Sequence, residues 1–438
     1  MLQTLRNAWK IEELRKKILF TLVIILLYRL GNAIPVPYVN VPALQYYFTQ
    51  LQNTVLGLYN VMSGGAFSTA TIFALSIQPY INASIIIQLL CIAIPALERL
   101  SKEEGEEGRK KIASITRYAT VGIGLLMGFA YYMLMKNNGL LSTEVPTSGF
   151  GAVAVAIVVI LTFTSGSALI MWLGEQITEF GIGNGISMIL FASIVSRLPR
   201  SIIATIENVG RPATDPYRLD WWVAVLMFLG ALAIIVLIVY VNDAERRLPV
   251  QYAKRVVGRK MYGGQSTFLP MKVNMSGVMP IIFASSIGTL PATIAGLAGA
   301  SQDSWVNTWF GNNSIPYAII YFLLIIFFAY FYSTIQFNPI EVSNNLKKNG
   351  GYIPGFRPGK PTSEFIQKVL NKVTLFGAIY LGIIAIVPIL ISHFSNASQL
   401  TGLSLGGTSI MIAVGVALET VRALEAQMLM RNYKGFLD

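Results

Sequence analysis

The side chains that most often do chemistry are scarce in this chain. Its 438 residues include one histidine, His393, and one cysteine, Cys91. A tetrahedral metal site of the Cys/His kind needs three or four such ligands and cannot be assembled from two. An intrachain disulfide is excluded. A Ser-His-Asp arrangement would have to use His393, which stands near the end of an apolar run with no nucleophile-elbow sequence beside it. His393 reads more simply as an interfacial residue at a helix end, and Cys91 as a small packed hydrophobe. No Walker A pattern is present, since Gly355 to Lys360 lacks the spacing. Neither cofactor nor metal is expected, and the chain is not expected to be an enzyme. Transporters and pumps place ionisable groups at membrane depth. Here Arg29 is the clear case, and the apolar runs otherwise carry uncharged polar residues: Asn82, Ser84 and Gln88 in one, Ser285, Ser286 and Thr289 in another, where Pro280 and Pro291 also interrupt. Such groups serve most simply as interhelical hydrogen-bonding glue, at about 0.6 kcal/mol each. They also permit helices that part and rejoin.

The elements that must position these residues are membrane helices. Hydrophobic residues make up 54% of the chain, charged residues only 12%, and the mean hydropathy is +0.59. A soluble domain carries roughly a quarter charged residues. Ten apolar runs can be bracketed, at 18–36, 72–97, 117–135, 150–172, 185–205, 220–241, 275–297, 315–337, 372–394 and 406–429. Most approach the roughly 20 residues that a helix needs to cross about 30 Å of hydrocarbon. Lipid leaves no partner for an unpaired amide, so helix is the only form available to them. Ser193, Ser196, Arg197 and Pro199 dilute the fifth run. The first run is too long for a signal-peptide core, lacks a small-x-small cleavage site, and reads as a retained span.

A net charge of +12 would suggest nucleic acid in a soluble protein. Its distribution says something different. With the N-terminus in the cytosol, 27 of the 33 Lys and Arg fall on cytosolic segments and 5 on the exterior side, with Arg29 inside the first span. The positive-inside rule therefore places both termini in the cytosol. Ten spans divide five and five, which allows an inverted pseudo-repeat. The expected organisation is an amphipathic cytosolic helix over 1–17, a first half over 18–205, a second half over 206–429 with cytosolic loops 242–274 and 338–372, and a tail over 430–438. In the N-terminal helix Leu2, Leu5, Trp9, Ile11 and Leu14 can share a face at the membrane interface. Alternation in 248–257 suggests a β-hairpin or extended finger, and Gly355-Phe-Arg-Pro-Gly359 a rigid turn with Arg357 at its tip.

One stretch does not suit a simple bundle. No Asp, Glu, Lys or Arg occurs from Leu30 to Leu97, although 35 or so of these residues lie between the first two spans. Leu56 to Met62 is apolar but too short to span, and Ser63-Gly64-Gly65 follows it. It reads either as a short helix, hinged at the glycines and folded back into the protein, or as an interfacial loop packed on the bundle.

These residues carry a family resemblance. Tyr28-Arg-Leu-Gly31 with Ile34-Pro-Val-Pro37, Met62-Ser-Gly-Gly-Ala66, the long run from Ile72 to Leu90, Met171 to Glu179 with Gly181 to Ser187, Tyr252-Ala-Lys-Arg255, Gln265 to Asn274, Asn344 to Lys348, Gly355 to Gly359 and Gly406-Gly-Thr-Ser409 resemble the bacterial SecY family of protein-conducting channels. The resemblance implies an all-α hourglass of two inverted five-helix halves. It implies an aliphatic pore ring of Ile77, Ile81, Ile186, Leu190, Ile282 and Ile412. It implies a plug over about 55–69, including Leu58, Tyr59, Met62, Gly64, Gly65 and Phe67, and a lateral gate with Asn82, Gln88, Ser286 and Leu290. Leu190 stands where isoleucine is frequent, and Leu290 where an aromatic is. Lys254, Arg255, Arg259, Lys260 and Arg357 would contact the ribosome or the SecA motor, and small membrane subunits of the SecE and SecG type would be partners in the bacterial plasma membrane. A passive channel that passes secretory chains across, and membrane helices sideways into, the bilayer is the expected function. A five-plus-five ion-coupled transporter is the alternative, and a midplane cluster of Asp, Glu or His would mark it.

Overall fold

A computed structural model describes residues 2–50, 55–102, 105–142, 149–211, 220–252, 255–257, 260–262, 266–297, 305–311, 314–394 and 407–434. In chain order the helices of the first half are α1 (Leu2–Lys10), α2 (Glu12–Gly31), α3 (Val41–Gln50), α4 (Val55–Met62), α5 (Gln78–Ala93), α6 (Pro95–Lys102), α7 (Gly105–Asn137), α8 (Phe150–Phe180), α9 (Gly185–Val195) and α10 (Leu198–Val209). Then come α11 (Trp221–Asp243) and the strands β1 (Glu245–Tyr252), β2 (Arg255–Val257), β3 (Lys260–Tyr262) and β4 (Ser266–Lys272). The rest is α12 (Met279–Leu297), α13 (Trp305–Phe310), α14 (Ile315–Gln336), α15 (Pro339–Lys348), β5 (Gly351–Tyr352), α16 (Lys360–Phe394) and α17 (Gly407–Lys434).

Each bracketed apolar run contains helix. Among the described residues, six segments are long and apolar enough to cross a membrane: α7, α8, α9 with α10, α11, α14 with α15, and α16. The apolar α5 and α12 are shorter, and α2 and α17 carry charges at their ends. The fifth run breaks after Val195. Pro199 enters the first turn of α10, the position where a missing N–H costs nothing. The second run is helical only from Gln78; residues 71–77 form turns instead, with Ala70 and Ser76 at positive φ.

Small residues let the helices approach closely. A Cβ on Gly166 of α8 would lie 2.0 Å from the Ile72 carbonyl oxygen, and one on Gly185 would lie 1.9 Å from that of Gly174. Backbone cannot retreat as a side-chain tip can, so these contacts require glycine.

The N-terminal range divides at Ile11, where α1 ends and α2 begins. The face that α1 buries is centred on Ala8, which packs with Leu14, Ile182 and Leu424, while Trp9 stays 46% exposed. The Thr4 hydroxyl donates to Glu425 Oε1 of α17 at 3.1 Å. The helix thus rests partly on the C-terminal helix; of the residues expected on one face, Leu14 and Ile11 join this cluster, Trp9 is exposed, and the side chains of Leu2 and Leu5 lie outside the described residues.

The finger over 242–274 is built on β1, which pairs antiparallel with β4 from Glu245↔Lys272 to Gln251↔Ser266. Beyond it β2 pairs with β3. β5, from the other long loop, at 338–372, adds to the free edge of β1, giving the order β4-β1-β5. Leu248, Val250, Met271, Ile353, Ile366 and Leu370 form one buried cluster beneath this sheet. The two loops are one unit.

Candidate functional site

Four helices bring the six ring residues together. Ile77 caps α5 and Ile81 follows one turn later, its N–H bonded to the Ile77 carbonyl at 3.1 Å. Ile186 and Leu190 lie one turn apart on α9, whose start is fixed by Asn184: its Oδ1 accepts from Ile186 N at 3.1 Å and Ser187 N at 3.3 Å. Ile282 comes from α12 and Ile412 from α17. Ile77, Ile81, Leu190, Ile282 and Ile412 are all buried in a single apolar cluster, and the partly buried Ile186 packs against it. Residues from both halves therefore meet.

The surroundings are polar only in an uncharged sense. Among the described residues the buried side chains that carry polar groups are Ser, Thr, Asn, Gln and Tyr, and none is Asp, Glu, Lys, Arg or His. No described group of three or more His, Cys, Asp or Glu is disposed to hold a metal ion. A cavity of about 510 Å³ is lined by Ile186 together with Tyr80, Trp172 and Glu179, and an ion pair from Arg117 Nε to Glu175 Oε1 at 2.9 Å lies in its wall.

Beyond the ring lies the segment that contains α4. Tyr59 and Phe67 join Phe48, Tyr131 and Phe163 in a second cluster, where Phe67 stacks on Tyr131 at 4.3 Å. Met62 belongs instead to the cluster of the ring, and its sulfur accepts from Gln78 Nε2 at 2.9 Å. Gly64 and Gly65 turn the chain with φ of 68° and 94°. Asn60 stitches the turn: its carbonyl accepts from Gly65 N at 2.9 Å and its Oδ1 from Ser68 N at 3.0 Å. Leu58 lies in α4, and its side chain falls outside the described residues. The segment is a short helix followed by a turn, with Tyr59, Met62 and Phe67 each at 7% exposure or less.

α5 and α12 are in contact. Gln88 on α5 donates to Ser84 Oγ at 3.0 Å and accepts from the Tyr332 hydroxyl of α14 at 2.9 Å. Asn82 is buried and reaches Met127 Sδ only at 4.0 Å. The Ser286 hydroxyl is buried without a partner, and Leu290 is 37% exposed. Phe283 closes edge-on against Phe328 and Tyr332, at 5.8 and 5.0 Å. Sequence reasoning missed Tyr332. It sits among Phe327, Phe328, Tyr330 and Phe331, and nothing in its spacing distinguishes it.

Of the basic tips, Lys254 and Arg259 lie outside the described residues, and so do the side chains of Arg255 on β2 and Lys260 on β3. Arg357 is exposed in the turn after β5. That turn is braced by Phe356 stacked on Phe365 at 4.1 Å, by the Thr362 hydroxyl on the Arg357 carbonyl at 2.8 Å, and by the Ser343 hydroxyl on the Gly359 carbonyl at 2.8 Å.

Comparison with known proteins agrees with this architecture. The family model described as SecY matches residues 71–421. Proteins named protein translocase subunit SecY from Streptomyces scabiei and Streptomyces coelicolor are 44% and 45% identical, and one from Mycobacterium bovis is 42% identical, each matched over 100% of both chains. A solved protein-conducting channel superposes with a TM-score of 0.65 at 16% identity, over 94% of this chain and 92% of that one. The Sec61 channel of a canine ribosome–channel complex superposes at 0.61 and 14% identity, over 94% and 92%. The fold is thus that of an all-α membrane channel, crossed by several spans. With a family model matching most of its length and relatives at over 40% identity from end to end, the chain belongs to the SecY family.

Proposed function

We propose that this chain is the central pore-forming subunit of a protein-conducting channel, passing unfolded secretory polypeptides across the plasma membrane and releasing membrane helices sideways into it. One observation carries the reading: aliphatic side chains from α5, α9, α12 and α17 meet in one cluster, and no described charged side chain is buried around them. A passing polypeptide offers every sequence in turn, so a pore cannot rely on specific hydrogen bonds. Aliphatic side chains fit loosely around such a chain and exclude ions by dewetting.

In this reading Ile77, Ile81, Ile186, Leu190, Ile282 and Ile412 form the constriction, α4 and the turn to Phe67 plug it from the exterior side, and the α5–α12 seam is the lateral gate. Ten crossings with both termini cytosolic place the β1–β4 finger and Arg357 where a ribosome or the SecA motor can dock, by attraction to phosphate or carboxylate groups. The Sec61 relative is seen in a ribosome–channel complex. α11, whose Trp221, Leu226, Phe228 and Val236 are exposed, leaves a face for lipid or for small membrane subunits of the SecE and SecG type. The chain acts without chemistry of its own, and the partner supplies the energy. The ion-coupled transporter reading is set aside: its marker, a buried acidic or histidine cluster, does not occur among the described residues, and the relatives are protein translocase subunits.

Reconstitution with the small subunits, the motor ATPase and a secretory precursor tests this. Protease-protected precursor is expected, and Ile282→Asn or Ile412→Asn is expected to raise ion leak and relax the demand on the signal sequence. Absence of protected precursor, with both variants as ion-tight as the parent, would contradict it.

A further inference from the structure

The function above leaves Arg29 unused, although a charge in an apolar run is costly to keep. Arg29 lies on α2 near its exterior end and is only partly exposed. Its Nη2 donates to the Ala192 carbonyl at 3.1 Å, in the last turn of α9. A cation there also meets the negative end of the helix dipole. The neighbouring Tyr28 hydroxyl bonds Ser193 Oγ at 2.7 Å, fully buried. Two successive residues of α2 thus clasp the same turn of α9.

The plug turn rests on that clasp. A Cβ placed on Gly64 would stand 3.1 Å from the Ser193 carbonyl oxygen, 3.3 Å from Ser193 Cα and 3.3 Å from Arg29 Nη1. Gly65, next along, has nothing within 4 Å of such an atom. So Gly64, and not its neighbour, is pressed against α9 and the guanidinium.

We propose that Arg29 and the last turn of α9 form the seat of the plug, with Arg29 as the positioning residue and Gly64 as the contact that lets the turn settle against it. This rests on the reading of the α4 segment as a plug. The guanidinium satisfies an α9 carbonyl and walls the Gly64 turn, so removing it loosens the seat without touching the ring. The same seat explains why Ser63-Gly64-Gly65 needs glycine twice for different reasons: both residues have positive φ, but only Gly64 is also confined.

The test uses the channel with its small subunits in liposomes, reading ion leak at rest together with hydrogen exchange of the 55–69 amides. Arg29→Ala is expected to raise both by roughly tenfold, the factor that goes with losing one hydrogen bond to a charged group, while precursor translocation persists. Arg29→Lys, which keeps the charge, should fall between. Gly64→Ala should leak more than Gly65→Ala, even though both place a Cβ at positive φ. Unchanged leak and exchange in Arg29→Ala would overturn the proposal. So would raised leak with α9 amides loosened and plug amides unchanged, which makes Arg29 a brace for α9 alone. Deleting residues 57–67 checks the plug reading separately: if the deletion is as ion-tight as the parent, that reading fails, and the seat with it.

Discussion

Gln88 and Tyr332 are 244 positions apart, yet they share a hydrogen bond of 2.9 Å that links α5 to α14. A neutral bond of this kind contributes about 0.5–1.5 kcal/mol. In the proposed lateral gate, that strength would suit a seam that opens and recloses. Ser286 makes the same point in reverse: a buried hydroxyl with no partner weakens packing beside Phe283. Tyr332→Phe removes the bond while keeping the ring that packs on Phe283. It should let precursors with weakly hydrophobic signals through roughly two- to tenfold more efficiently, read as protected precursor across a graded signal series. An unchanged series would take Tyr332 out of the gate.

The helices were legible as apolar runs because lipid imposes one solution on a long greasy segment. Their ends were less so. The run at 72–97 carries no charge, but the chain is not helical before Gln78, and the Ile72 carbonyl is packed against Gly166. Hydropathy cannot register a backbone contact of that kind. The finger was readable from its alternation. The pairing of Gln251 with Tyr352 was not, because it joins loops 100 residues apart and a two-residue strand has no pattern of its own. The proposed ring and plug residues rest on family resemblance, since four-apart aliphatics occur in every membrane helix. The shared sheet has a consequence: a force on the Arg357 turn reaches β1 through β5, and through β1 the start of the finger at α11. Arg357→Glu should therefore reduce motor-driven export severalfold, with membrane insertion of the channel unchanged, measured by precursor protection against the amount of assembled complex. Equal export would remove that turn from the docking surface.

At the scale of the whole molecule, charge and burial divide the labour. Twenty-seven of the 33 Lys and Arg fall on segments that the positive-inside rule assigns to the cytosol, and in the proposed topology they offer a docking face. The interior holds no described buried charge, so a passing polypeptide meets no fixed ionic trap. α11 turns Ile238 and Val241 into the buried cluster that holds Ile282 and Ile412, and leaves Trp221, Leu226, Phe228 and Val236 exposed on its other faces. The central claim is that a translocating chain passes through that cluster, and site-specific photocrosslinking to a precursor stalled in transit measures it most directly. A probe at Ile282 or Ile412 should capture the precursor, and a probe at Leu226 should capture lipid or a small subunit instead. Precursor captured at Leu226 and absent from both interior positions would contradict the account.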